Sequence, residues 1–182
     1  QDIFQPLREE DVVFAPLDIG VAAMYRQGLD YIAINAPSFT TEDSSTLFHE
    51  NVHRIQAQHD WTKKVTWKLT DSRKRTALVE GLTMMMEKES WMINGHGDQL
   101  PNLPYSYQLY LDMVDIGFKA RLRNLGKTED QITGLLAAGA TIDPHGLANA
   151  LGNGDVNLGW QYIDNLTGEV VQKIKDYNAD DL

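Results

Sequence analysis

Thr40-Thr41-Glu42-Asp43-Ser44-Ser45-Thr46-Leu47-Phe48-His49-Glu50-Asn51-Val52-His53-Arg54-Ile55-Gln56-Ala57 is the stretch around which the rest of the chain is read. It opens on a helix start. Thr40 and Asp43 have the spacing of a capping box, and Glu42 and Asp43 bring negative charge to the positive end of a helix dipole. A helix begun there runs to about Ala57, with Leu47, Phe48, Val52 and Ile55 supplying a core face. His49 and His53 fall in mid-helix, four residues apart. That spacing is about 40° of rotation and about 6 Å of rise, so both imidazoles leave the helix in the same direction. Two nitrogens so placed can grip one zinc ion at about 2.0–2.1 Å each. Glu50, next to the first of them, can reach a water on that ion without binding the metal itself.

A catalytic zinc takes a third protein ligand and keeps one position open. The candidate is Glu80, set in Leu78-Val79-Glu80-Gly81-Leu82. A carboxylate inside so apolar a run needs a partner. Gly81 beside it leaves room for a neighbouring backbone to come close. The run belongs to a second helix, opened by Asp71 or Ser72 and reaching about Trp91, whose Leu78, Leu82, Met85 and Met86 face is apolar and is widened by Val79 and Met84. The competing reading makes Glu80 a surface residue paired with Lys or Arg.

His49-Glu50-x-x-His53 followed by Leu78-Val79-Glu80-Gly81-Leu82-Thr83 resembles the gluzincin branch of the zincin metallopeptidases. The resemblance covers about residues 11–91 and implies a zinc peptidase with Glu80 as third ligand. It also implies that Tyr31 to Ile34 is the strand that pairs with extended substrate, and that a short helix before it is the backing helix. Residues 93–182 match no family pattern.

His59 offers a rival third ligand. His49, His53 and His59 have metzincin spacing, and Met84 to Met86 could be read as that branch's Met-turn. That signature has a turn-forming glycine where this chain has Gln56, so the helix is expected to continue and to carry His59 about 15 Å along the axis from His49. Methionines at helical spacing are more often core. A peptidase also needs a donor for the developing oxyanion. His96 in Gly95-His96-Gly97, Tyr105 and Tyr107 are the candidates, each with a plain structural alternative as a surface histidine or a packed tyrosine.

Elsewhere, residues 11–14 and Tyr31-Ile32-Ala33-Ile34 read as strands, and residues 19–26 as a short helix ending near Gly28. Residues 94–104 read as a loop and residues 105–122 as an amphipathic helix. Thr128-x-x-Gln131 caps another helix, and Asp143-Pro144 starts a short one stopped by Gly152. Residues 160–177 read as helix with a break near Gly168. His145 reads as a first-turn helix residue. Asn165-Leu166-Thr167 is an N-glycosylation sequon, relevant only in a secretory setting.

The expected fold is α+β and mostly helical: one zincin-like domain over 1–182, with an α/β portion carrying the metal site over 1–92 and a helical portion over 93–182. There are no cysteines, so disulfides and thiolate ligands are excluded. The formal net charge of -10 argues against nucleic acid as a partner. No apolar run is long enough to span a bilayer. The chain opens at Gln1, not Met, which reads as a processed, excised or trimmed form, removal of a secretory signal being one cause. The expected location is secreted or exported, with a toxin or effector domain cut from a larger chain as the other setting. The function expected is zinc-dependent hydrolysis of a peptide or protein substrate. The alternatives are a catalytically silent zincin-like domain that binds a protein partner, and a helical interaction protein carrying the motif by coincidence. Oligomeric state is not encoded in any motif found.

Overall fold

The computed structural model describes residues 11–14, 23–26, 30–34, 44–100 and 103–180. Three short strands, β1 (Val12–Phe14), β2 (Ala23–Arg26) and β3 (Tyr31–Ile34), form a sheet of order β1-β3-β2. β1 runs parallel to β3, with Val12 opposite Ile32, and β2 runs antiparallel to it, with Tyr25 opposite Ile32. Among the described residues eight α-helices follow: α1 (Ser44–Gln58), α2 (Trp61–Thr66), α3 (Ser72–Ile93), α4 (Tyr105–Asp112), α5 (Lys119–Asn124), α6 (Glu129–Thr141), α7 (Pro144–Leu151) and α8 (Val156–Asp180). The fold is α+β and mostly helical, as expected, and no described helix is long and apolar enough to cross a membrane.

Two expectations about the sheet need correction. Residues 23–26 are strand, not the end of a helix, and residues 19–22 lie outside the described residues. A segment this short gains too little from helical hydrogen bonds to hold a helix alone. Pairing with β3 satisfies its backbone, and Ala23 joins Ile32 in a small cluster against Val12, Tyr25 and Leu47. No backing helix therefore stands at these residues. β3 is also the central strand, with both edges taken, so Tyr31 to Ile34 cannot pair with a further strand. Arg54, nearly inaccessible to solvent, fixes the sheet to α1 through ion pairs with Asp11 and Asp30, each 3.3 Å long. The proposed cap at residues 40–43 lies outside the described residues.

The helices obey their caps where these are described. Asp71 accepts a hydrogen bond from the Arg73 amide and opens α3. Thr128 and Gln131 form the reciprocal capping box of α6. Residues 105–124 are helical throughout, as read for 105–122, with a π-helical stretch at Met113–Phe118. α2 was not anticipated. The break near Gly168 is absent, because α8 is continuous and Ile163, Thr167, Val170 and Val171 along it are buried. One apolar core runs from Val52 to Val170 and unites the described parts of both portions of the chain.

Side chains of α1 and α2 close the C-terminal end of α6. Trp61 Nε1 donates to Gly139 O at 2.7 Å, Gln56 Nε2 to Ala140 O at 2.8 Å and Lys64 Nζ to Ile142 O at 2.9 Å. The last carbonyls of a helix lack intrahelical donors, and the residue four beyond Ala140 is Pro144, which has no N–H.

Gly81 is where α3 meets the backbone of α4. A Cβ there would lie 2.5 Å from Tyr110 O and 3.0 Å from Val114 Cγ2, so the close approach read from the sequence is present. At Gly168 a Cβ would meet only the end of Lys74, at 3.5 Å. Gly81→Ala is expected to lower stability by about 1–3 kcal/mol through overpacking. Gly168→Ala should raise it by about 0.5–1 kcal/mol by removing a helix glycine. Denaturant titration of the two variants checks this, and equal effects of one sign would contradict the packing described.

Candidate metal centre

The 3.6-residue period of α1 puts His49, Glu50 and His53 on one side of the helix, facing α3 and β2. α3 crosses there and presents Glu80. His49 Nε2 lies 3.0 Å from His53 Nε2 and 3.0 Å from Glu80 Oε2, while His53 Nε2 lies 3.1 Å from Glu80 Oε1. The three side chains are only 13, 19 and 16% exposed. Among the described residues, His49, His53 and Glu80 form the group whose ligand atoms could hold a metal ion, all lying within 4.8 Å of one another. The edges of a tetrahedron around an ion bonded at 2.0–2.1 Å are about 3.3 Å, so the triangle is close to the size zinc requires. With no cysteine in the chain, imidazole and carboxylate are the donors available, and both suit zinc.

Each imidazole is held from behind. His49 Nδ1 meets Glu87 Oε1 at 3.1 Å, and His53 Nδ1 meets Gln56 Oε1 at 2.8 Å. Such outer contacts orient a ligating ring and raise its basicity. Neither Glu87 nor Gln56 was anticipated. Glu87 is seven residues beyond Glu80, two helical turns along the same face of α3, and that spacing was the available signal.

The electrostatics follow from burial opposed by charge. Burial pushes the Glu80 carboxyl up, but hydrogen bonds and charge from His49 and His53 outweigh it and hold the group well below the usual carboxylate range. Burial disfavours the charged form of His49, yet its contacts with Glu80 and Glu87 raise it well above an ordinary histidine; burial also opposes the charged form of His53, and its contact with Glu80 raises it. Burial raises the carboxyl of Glu50, and the two histidines only partly offset that. Glu50 is not part of the ligand triangle. Its Oε2 accepts a hydrogen bond of 2.8 Å from the Tyr25 amide of β2, which places the carboxyl between the sheet edge and the histidines.

The other candidates separate clearly. His59 follows the end of α1, its amide bonded to Ile55 O and Gln56 O, and it is not among the grouped ligands. Met84, Met85 and Met86 are buried in the middle of α3 and make no turn. His96 stacks on Trp91 with ring centroids 3.8 Å apart, eleven residues and roughly 16 Å along α3 from Glu80. Tyr105 stacks on Tyr177 of α8 at 4.4 Å. Tyr107, 37% exposed, differs: partial burial raises its phenol, and the charges of Glu80, Tyr110 and Glu50 raise it further, so it lies within the electrostatic field of the cluster. Tyr110, not singled out from the sequence, is raised by burial and by Glu80 and packs edge-on to Tyr107 at 5.7 Å.

Compared with protein-family models, with curated proteins and with solved structures, the chain finds no match.

His49→Ala, His53→Ala and Glu80→Ala should each weaken zinc binding by more than the roughly 10- to 100-fold typical of an outer contact. His59→Ala should leave it unchanged. Competition against a chromophoric chelator measures this. Strong loss in the His59 variant with retention in the Glu80 variant would move the third ligand to His59.

Proposed function

We propose that the protein is a zinc-dependent hydrolase acting on peptide bonds, with zinc held by His49, His53 and Glu80. The observation that carries this reading is the buried His49–His53–Glu80 triangle with the Glu50 carboxyl beside it and outside it. A zinc ion held there would supply Lewis acidity toward a carbonyl and toward the attacking water.

The chain's own residues supply the remaining chemistry. Glu50 accepts the proton of the attacking water and returns one to the leaving amine. A carboxyl raised above its ordinary value is better matched to that exchange near neutral pH than a free one. The Tyr25 amide donates to Glu50 Oε2, and Oε1 is the oxygen this reading assigns to the proton. Tyr107, whose phenol feels the charges of Glu80 and Glu50, is the donor assigned to the developing oxyanion in this reading. The choice of a peptide bond rests on the resemblance of the two motifs to gluzincins.

Glu50→Gln should retain zinc and fold while hydrolysis of a mixed peptide library falls by roughly 10²- to 10⁴-fold. Tyr107→Phe should lower kcat by about 10²-fold, with zinc content unchanged. Near-normal turnover in the Glu50 variant would remove it as the base. A wild-type protein that binds zinc and cleaves nothing would favour a silent binding domain.

A further inference from the structure

The hydrogen bonds behind His53 fix where the protons lie on the Nδ1 side of its ring. Thr83 Oγ1 is 2.6 Å from Val79 O, a carbonyl that can only accept, so the hydroxyl proton of Thr83 points there. Toward Gln56, 2.9 Å away, Thr83 therefore offers a lone pair. Ala140 O, 2.8 Å from the same Gln56 atom, is also an acceptor only. That Gln56 atom must be the amide nitrogen, with both hydrogens engaged. The other end of the amide, the oxygen, then faces His53 Nδ1 at 2.8 Å. An amide oxygen cannot donate, so the proton between them belongs to His53.

We infer that Gln56 is a positioning residue that locks His53 in its Nδ1–H form and turns a bare Nε2 toward the metal. This rests on the metal-centre reading above and extends it to the residue that prepares the second ligand. The lock is anchored in backbone, because the Val79 and Ala140 carbonyls decide the orientation of Thr83 and Gln56 and, through them, the imidazole. It ties the metal centre to the end of α6, on the far side of Gln56. The Gln56 side chain is almost wholly inaccessible and cannot exchange these partners for solvent. A glutamate at position 56 would set a carboxylate oxygen against the Ala140 carbonyl, lone pair against lone pair, so an amide is the group that fits both sides.

The test combines zinc affinity with the protonation of the His53 ring. Long-range ¹H–¹⁵N spectra of metal-free protein, at a pH where His53 is neutral, should show the proton on Nδ1. The zinc-loaded protein should show Nε2 ligation and a slowly exchanging Nδ1–H. Gln56→Met should weaken zinc binding roughly 10- to 100-fold and speed exchange of that proton. Thr83→Val, which removes one acceptor from Gln56, should do both to a smaller extent, and Thr83→Ser should restore wild-type behaviour. Where the Gln56 variant does not fold, the Thr83 pair decides. Ligation through Nδ1, an Nε2–H form of the neutral ring, or wild-type affinity and exchange in Thr83→Val would overturn the inference. A wild-type protein with His53 protonated on Nδ1 that binds no zinc would overturn the metal-centre reading and leave the ring assignment standing.

Discussion

Holding the Glu80 carboxylate inside a helical interface is the constraint on which the rest of the structure depends. A buried carboxylate is tolerable only with charge or donors to match it. Here two imidazoles meet it at 3.0 and 3.1 Å, and both come from one face of α1. The crossing of α1 and α3 is therefore set by polar contacts as well as by the apolar core around Val52, Leu78 and Leu82. Glu87 and Gln56 extend the same requirement outward, since each imidazole buried by the crossing needs a partner for its second nitrogen.

The neighbour of Glu80 matters nearly as much. Because position 81 is glycine, the backbone of α4 reaches α3 at Tyr110 O. That approach brings Tyr107 and Tyr110 within the field of Glu80. Glu80-Gly81 thus supplies both the carboxylate and the close backbone approach of α4 to α3. On the other side, the side chains of α1 and α2 that close α6 hold Gln56 between the His53 imidazole and a helix end.

The spacing of His49, Glu50 and His53 was legible because a helical period converts sequence distance directly into direction. Glu80 was legible because its neighbours are apolar. Gln56 was read only as a missing glycine, since nothing local announces a buried amide whose partners lie 27 and 84 residues away. Glu87 was overlooked in Glu87-Lys88-Glu89, which resembles a solvated charge run, although Lys88 and Glu89 pair across to Asp115 and Lys119 while Glu87 turns inward to His49. β2 was misread because four residues carry too little pattern to separate strand from helix, and pairing with β3 decided the matter. Gly168 was misread because burial along α8 outweighs the propensity of one glycine.

The central claim is that two histidines of α1 and one glutamate of α3 close around a single metal ion. The most direct measurement is an anomalous-difference map collected at the zinc absorption edge from crystals of zinc-loaded protein. The result predicted is one peak, bonded to His49 Nε2 and His53 Nε2 at about 2.0–2.1 Å and to a Glu80 carboxylate oxygen at about 2.0–2.2 Å. A peak bonded to other side chains, or no peak between α1 and α3 with zinc in excess, would contradict it.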